Sequence, residues 1–298
     1  MLGIFGPTAS GKSAVAEALV GRIEAEIVSA DAMQAYRGLP VLTNQPERPT
    51  RLVGIWPLHH EGSVGEYQRL AHEAIDEILA TGRTPVVAGG TGLYLRAALA
   101  ELGLPPAPPP GARARWERLY DDEGAERAHA TLAERDPAAA AVVHPNDRRR
   151  VVRALELAEA GASLRPQRAR LWTEETRHPT VVVGLEVPPR ILAARIDERT
   201  RTMVSRGVVA EARAALAGEL SPTARRTIGL EEFATLPVED AIAAVAQRTR
   251  QYAAYQRKWL RRVAGAVSVP ADRPPDAIAD AILEVARTRQ RLPARRAG

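Results

Sequence analysis

The sequence contains no cysteine. Disulfides, thiol nucleophiles and thiolate metal sites are excluded together, and the lack fits a reducing cytoplasm, the location expected for this chain. Lysine is almost as scarce: Lys12 and Lys258 are the only two among 41 basic residues, the rest being arginine. A flexible ammonium at position 12 therefore needs a reason, and a compact point charge where a planar guanidinium would not fit is one. No stretch approaches the roughly 18 uninterrupted apolar residues of a membrane helix, and the first apolar run, Leu2 to Phe5, breaks at Gly6 with no basic stretch before it. The chain is expected neither to span a membrane nor to be exported. The six histidines show no close ligand spacing. What is present, 45% hydrophobic and 26% charged residues over 298 positions, suits one or two globular domains with a sizeable core.

The net charge of +5 is unevenly placed: residues 1–100 carry 8 basic and 10 acidic side chains, residues 201–298 carry 17 and 10. A phosphate-rich partner and a solvated Arg-rich face both account for that bias. Along the chain, strand and helix signals alternate. Leu2 to Phe5 reads as a buried strand, Lys12 to Arg22 as a helix, Glu26 to Ala30 as a second strand, Gly65 to Thr81 as an amphipathic helix and Thr84 to Ala88 as a third strand. This order predicts an α/β fold, a P-loop NTPase-like parallel sheet with helices on both faces. The proline-rich segment 102–111 reads as an extended connector, and the charged stretch from Arg113 to about Arg177 as an inserted all-helical domain. Four parts are expected: 1–112 as the first part of the core, 113–178 as the insertion, 179–288 as the second part of the core, and 289–298 as a disordered basic tail. In the second part, Thr180 to Val187 and Ala266 to Val269 read as strands. Helices are predicted over 189–206, 209–216, 238–263 and 276–287.

The run Gly6-Pro7-Thr8-Ala9-Ser10-Gly11-Lys12-Ser13 satisfies the Walker A pattern in its required place between a strand and a helix. Glycines let backbone N–H groups converge on an anion, the helix start adds unsatisfied donors, Lys12 supplies the point charge, and the Ser13 hydroxyl can ligate Mg²⁺, the one cofactor expected. In a parallel sheet, ligands bind outside the carboxyl ends of the strands. Asp31 follows the second strand and Thr91 the third. Asp31 is placed to hold metal or to act as a general base, or simply to cap the segment 32–36; Thr91 suits a ligand contact or a helix cap. The residues alone leave phosphoryl transfer by a small-molecule kinase and displacement at a diphosphate equally open.

Five blocks, in order, resemble the bacterial tRNA dimethylallyltransferases. They are Gly6 to Ser13; Ser29-Ala30-Asp31-Ala32-Met33-Gln34-Ala35-Tyr36-Arg37-Gly38; Gly89-Gly90-Thr91-Gly92-Leu93-Tyr94; His144 to Arg150 continuing to Arg153-Ala154-Leu155-Glu156; and Thr249-Arg250-Gln251-Tyr252 continuing to Trp259-Leu260-Arg261. The resemblance implies transfer of a dimethylallyl group from dimethylallyl diphosphate to the exocyclic amine of the adenosine 3′-adjacent to a tRNA anticodon, with the cradle holding the leaving diphosphate. It also implies Asp31 as base, Thr91 beside the reacting groups, and Lys12, Ser13 with Mg²⁺, and Arg226 on the diphosphate, Arg226 coming from an Arg-x-x-Gly-like segment, Arg225-Arg226-Thr227-Ile228-Gly229. By the same resemblance Asp31, Ala32, Met33, Gln34, Thr91, Arg113, Arg149, Arg150, Val151, Val152 and Arg153 are the tRNA-contacting positions, and a monomer is expected. A prenyltransferase acting on free AMP and a non-catalytic RNA-binding protein are the further alternatives.

On the late helix Arg250, Arg257 and Arg261 share one face, and Gln251, Tyr255, Lys258 and Arg262 another, so at least one basic face is expected to meet phosphate. Trp172 and Trp259 suit either base stacking or packing. Two segments depart from the family pattern. Leu42-Thr43-Asn44-Gln45-Pro46 stands where Gly-Thr-Ala-Lys-Pro is usual, and Ala253-Ala254-Tyr255-Gln256 where Ala-Lys-Arg-Gln is usual.

Overall fold

The structure, a computed structural model, describes residues 1–105, 108–164 and 173–289. The strands are β1 (Leu2–Phe5), β2 (Ala25–Ser29), β3 (Thr84–Gly89), β4 (Val181–Glu186) and β5 (Val267–Pro270). The helices among the described residues are α1 (Lys12–Val20), α2 (Val64–Ala80), α3 (Gly92–Leu99), α4 (Ala112–Arg135), α5 (Pro137–Ala140), α6 (Arg148–Glu159), α7 (Pro189–Ser205), α8 (Val208–Leu216), α9 (Leu230–Thr235), α10 (Val238–Leu260) and α11 (Pro275–Thr288). Two short helices, α3 and α9, are not evident from periodicity. The first opens within a Gly-rich turn, and the second has six residues and is fixed by Glu232, which accepts from the Gly229 N–H. The helical stretch predicted to run to 177 ends at Glu159 among the described residues.

Two compact units divide the chain: Met1–Glu101 with Leu171–Gly298, and Leu102–Arg170. The connector at 102–111 thus falls with the helical unit, and 171–178 with the sheet. The sheet runs β2-β3-β1-β4-β5, every neighbouring pair parallel. Successive strand residues face opposite sides, and both sides are covered. Leu2 and Ile4 join Val15, Leu19, Ile278 and Ile282 in one apolar cluster under α1 and α11, whereas a Cβ on Gly3 would meet Leu99 of α3 at 3.0 Å. That explains the unbroken apolar strands, for β1 is buried throughout and β4 to its last residue but one. From β1 the chain goes to one side for β2 and β3, then crosses to the other for β4 and β5. β1 lies at this reversal, where a crevice opens beyond the strand ends.

In the helical unit, α4, kinked at Gly124, packs with α5 and α6 around Ala128, Leu132, Ala139, Val143, Val151, Ala154 and Leu155. Residues 290–298 and Trp172 lie outside the described residues. Among the described residues no helix is long and apolar enough to cross a membrane.

Candidate active site

The turn from β1 into α1 curls through two residues with positive φ. Gly11 at φ 89° adopts that conformation without steric cost, whereas Ala9 takes φ 61° against its own Cβ, a strain of about 1–2 kcal/mol. Three contacts hold the loop in place. Ser10 N donates to the Pro7 carbonyl at 3.2 Å, Thr8 N to Gln256 Oε1 at 2.7 Å, and Arg199 of α7 to Thr8 Oγ1 at 2.7 Å. Gln256, buried on α10, also donates through Nε2 to the Gly90 carbonyl at 2.7 Å, so one side chain ties the loop after β1 to the loop after β3.

The first turn of α1 has neither an acidic residue nor a side-chain cap, which leaves its N–H groups open to an anion. Lys12 Nζ donates to the Pro7 carbonyl at 2.7 Å. Burial draws its pKa down to about 8; Asp31 pulls against that shift and Arg199 adds to it. Two further polar atoms here, Ser10 Oγ and Arg199 Nε, are buried with no hydrogen-bond partner among the described residues. Such orphans are rare in folded proteins unless water, an ion or a ligand completes them.

Asp31 and Thr91 stand beside this cradle because parallel strands end together. Asp31 Oδ1 accepts from Met33 N at 3.0 Å, so the carboxylate does cap the turn that follows, and its charge still reaches Lys12 and Arg199. Thr91 occupies the N-cap position of α3 without making a capping bond. Its hydroxyl accepts from Ala32 N at 3.3 Å and pairs with Tyr252. The Tyr252 phenol is pushed up to about 12, first by burial and then by the Asp31 charge. Close approach at the strand ends needs glycine at 89, where a Cβ would sit 2.1 Å from the Ala30 carbonyl oxygen.

The other predicted residues are placed unevenly. Thr227 Oγ1 donates to Met33 Sδ at 3.2 Å, which brings the 224–227 turn against the segment after Asp31, while the Arg226 side chain is exposed. Gln34 spends its amide internally: it accepts from Ser29 Oγ and donates to the Asn44 carbonyl, each at 2.9 Å. In the departing segment 42–46, Gln45 donates to the Tyr36 carbonyl at 2.7 Å, so the neutral amide still pins this loop. Ser13 is exposed and lines a small cleft with Ser29 and Gln34. On α10, Arg250 is paired with Asp197, whereas Arg257 and Arg261 line a cleft of about 360 Å³ that borders Pro7. Trp259 packs against Gly92.

In the helical unit, Asp147 caps α6 by accepting from Arg150 N at 3.2 Å. Arg149 and Arg150 are exposed, Arg113 pairs with Glu117 at 3.2 Å, and Arg153 with the buried Glu156 at 3.0 Å. Val151 and Val152 are buried, so their side chains face the protein and present no surface to a partner.

Three residues not singled out from sequence belong to this site: Arg199, Tyr252 for its bond to Thr91, and Gln256. The last two lie in a quoted block, but nothing in their spacing marks a role; Arg199 is one arginine among 39.

Sheet order, the glycine-rich turn and the adjoining carboxylate define a P-loop-like fold. A family model described as IPP transferase matches residues 34–263. The tRNA dimethylallyltransferase of Kineococcus radiotolerans is 41% identical over 281 residues, 88% of either chain, and that of Anaeromyxobacter dehalogenans 41% over 289 residues, 93% of this chain and 96% of the relative. Among solved structures, the tRNA isopentenylpyrophosphate transferase of Bacillus halodurans superposes with a TM-score of 0.69 at 29% identity, covering 97% of this chain and 96% of that one. A eukaryotic dimethylallyltransferase acting on tRNA shares the fold, with a TM-score of 0.80 at 24% identity, covering 99% and 81%. The chain belongs to the tRNA dimethylallyltransferase family and is a prenyltransferase. Of the two uses of the cradle that the residues left open, this membership selects displacement at a diphosphate over phosphoryl transfer.

Proposed function

We propose that this chain transfers the dimethylallyl group of dimethylallyl diphosphate to N6 of the adenosine 3′-adjacent to the anticodon of a tRNA, releasing diphosphate. The N6 lone pair forms a bond to C1 of the donor as the C1–O bond breaks, and the electron pair leaves on the diphosphate. Charge developing at an allylic carbon is delocalised, so the larger task is to stabilise the departing anion. Lys12 and the uncapped N–H groups of α1 take that charge, and Arg226, exposed on the turn whose Thr227 meets Met33, is the side chain proposed to add to it. Asp31 takes the proton lost from N6, and Thr91, bridged to Ala32 and Tyr252, orients the acceptor.

Mg²⁺ fits this cradle. It retains several waters and needs only one or two protein ligands. The exposed Ser13 hydroxyl in the first turn of α1 suits that demand, and among the described residues no group of three His, Cys, Asp or Glu competes for it. Bound there with the diphosphate, the ion supplies positive charge to the leaving oxygens.

An anticodon loop offers a base that is cheaper to extrude than one in a duplex, which is why loop RNA suits a site that must reach an exocyclic amine. Arg149 and Arg150 of the helical unit and the segment Asp31 to Gln34 are the proposed RNA contacts. The observation that carries this reading is a partly buried cradle with an uncapped helix start and a carboxylate at its side in a chain of this family. Mass spectrometry of an anticodon stem-loop incubated with the protein, dimethylallyl diphosphate and Mg²⁺ tests it. One added isoprenoid unit on that adenosine is expected, and an unmodified loop contradicts it.

A further inference from the structure

Flipping one base out of an RNA loop strips its neighbour of a stacking partner, and an aromatic side chain beside the site can replace that partner. Among the described residues, Tyr255 is the one exposed aromatic. Its ring centre lies 6.3 Å from that of Tyr252 with the planes 24° apart, and the residue remains 54% exposed. Tyr252 is fixed in turn. Its phenol bonds to Thr91 and to Gln256, the side chain that ties the loop after β1 to the loop after β3. Tyr255 is therefore the outer member of a tyrosine pair whose inner member is bonded to the residue that orients the acceptor.

Along α10, Gln251, Tyr255, Lys258 and Arg262 follow one another on an exposed face. Lys258 makes no side-chain hydrogen bond or ion pair among the described residues, and it stands about one turn from Tyr255. An open ring with a cation alongside is the arrangement that holds single-stranded nucleic acid, the ring on a base and the cation on the backbone. Tyr255 also falls where the family pattern Ala-Lys-Arg-Gln has its arginine, so this chain carries a ring in place of a charge. From this geometry we propose that Tyr255 stacks on a base flanking the reacting adenosine, filling the place that the extruded base has left, with Lys258 on the adjoining phosphate. Few torsions are lost when a tyrosine binds, and packing on Tyr252 already limits them. This rests on the RNA reading above and adds to it a contact specific to this chain.

The test is binding of the full chain to anticodon stem-loops, intact or lacking the base on the 5′ or the 3′ side of the reacting adenosine, in wild type, Tyr255→Phe, Tyr255→Ala and Tyr255→Arg. With the intact loop, Tyr255→Ala should raise Kd about 5- to 100-fold and Tyr255→Phe no more than about twofold, both with the salt slope of the wild type. Tyr255→Arg should steepen that slope by about 0.7. Removing the stacked base should cost the wild type as much as Tyr255→Ala does, and should cost Tyr255→Ala little more. Affinity for inorganic diphosphate with Mg²⁺ should be the same in all four proteins. Equal RNA affinity in wild type and Tyr255→Ala overturns the proposal. So does a Tyr255→Ala loss to which each missing base adds in full, since the ring then only supports Tyr252. A Tyr255→Phe loss as large as that of Tyr255→Ala assigns the effect to the hydroxyl and overturns it too, as does a loss of diphosphate affinity in Tyr255→Ala. In each of these cases a wild type that still prenylates the loop leaves the reaction intact, whereas a wild type that neither binds nor modifies the loop overturns both.

Discussion

The cradle and the helical unit treat their charges in opposite ways. Around the cradle, Lys12 and Arg199 are half-buried without bonded carboxylates among the described residues, Ser10 Oγ has no partner there, and the start of α1 is uncapped. In the helical unit, Arg113, Arg115, Arg127, Arg148 and Arg153 are each paired with an Asp or Glu. The first region holds unmet electrostatic demand in a low-dielectric place, where a small anion gains most. The second has neutralised most of its own charge at the surface, where each pair contributes little, and has left Arg149 exposed.

The sharpest break of that contrast is at Asp31, which stands beside both cations and is proposed to move a proton instead of binding the anion. Asp31→Ala should lower turnover by about 10²–10⁴ with tRNA affinity nearly intact, as measured by single-turnover kinetics and filter binding. Next in size is a titration. Because the Lys12 pKa is lowered to about 8, its cation is present below that pH and lost above it. Donor kcat/KM should fall about tenfold per pH unit above 8, and Lys12→Arg, charged throughout, should flatten that limb whatever its absolute rate. In the ligand-free protein the sign reverses. Between about 8 and the ordinary lysine value the unfolded chain holds the extra proton, so stability should rise with pH across that window, a change that thermal melts will register.

The helical unit should respond less, and differently. Val151→Ala removes two buried methyl groups from the unit's core and should cost about 2 kcal/mol in denaturant unfolding, without changing the salt dependence of RNA binding. Smallest is the effect on that salt dependence itself. With about five phosphates contacted, log affinity should fall with log salt at a slope of roughly −3.5, and Arg149→Ala should make it shallower by about 0.7. Arg148→Ala, which removes a side chain already paired with Asp121, should leave it unchanged.

Local sequence carried much of this site. The strand, glycine turn and helix around Gly6 to Ser13 are contiguous, and Asp31 and Thr91 could be placed near them because parallel strands end on one side. Arg199 and Gln256 reach the cradle from 191 and 248 residues away, and neither lies at a spacing that announces a ligand. Val151 and Val152 were grouped with their exposed neighbours by resemblance; the helix phase, which buries 151, 152, 154 and 155 together, separates them. The two short helices escaped because each is fixed by its neighbours more than by its own periodicity.

The most direct measurement is a crystal structure of the protein with Mg²⁺ and an unreactive thiolo analogue of dimethylallyl diphosphate. Both phosphates should lie in the loop between β1 and α1, within hydrogen-bond reach of Lys12, with the five-carbon chain directed toward Asp31 and Thr91. An analogue seated elsewhere, with that loop holding nothing, would contradict the assignment of the cradle to the leaving group.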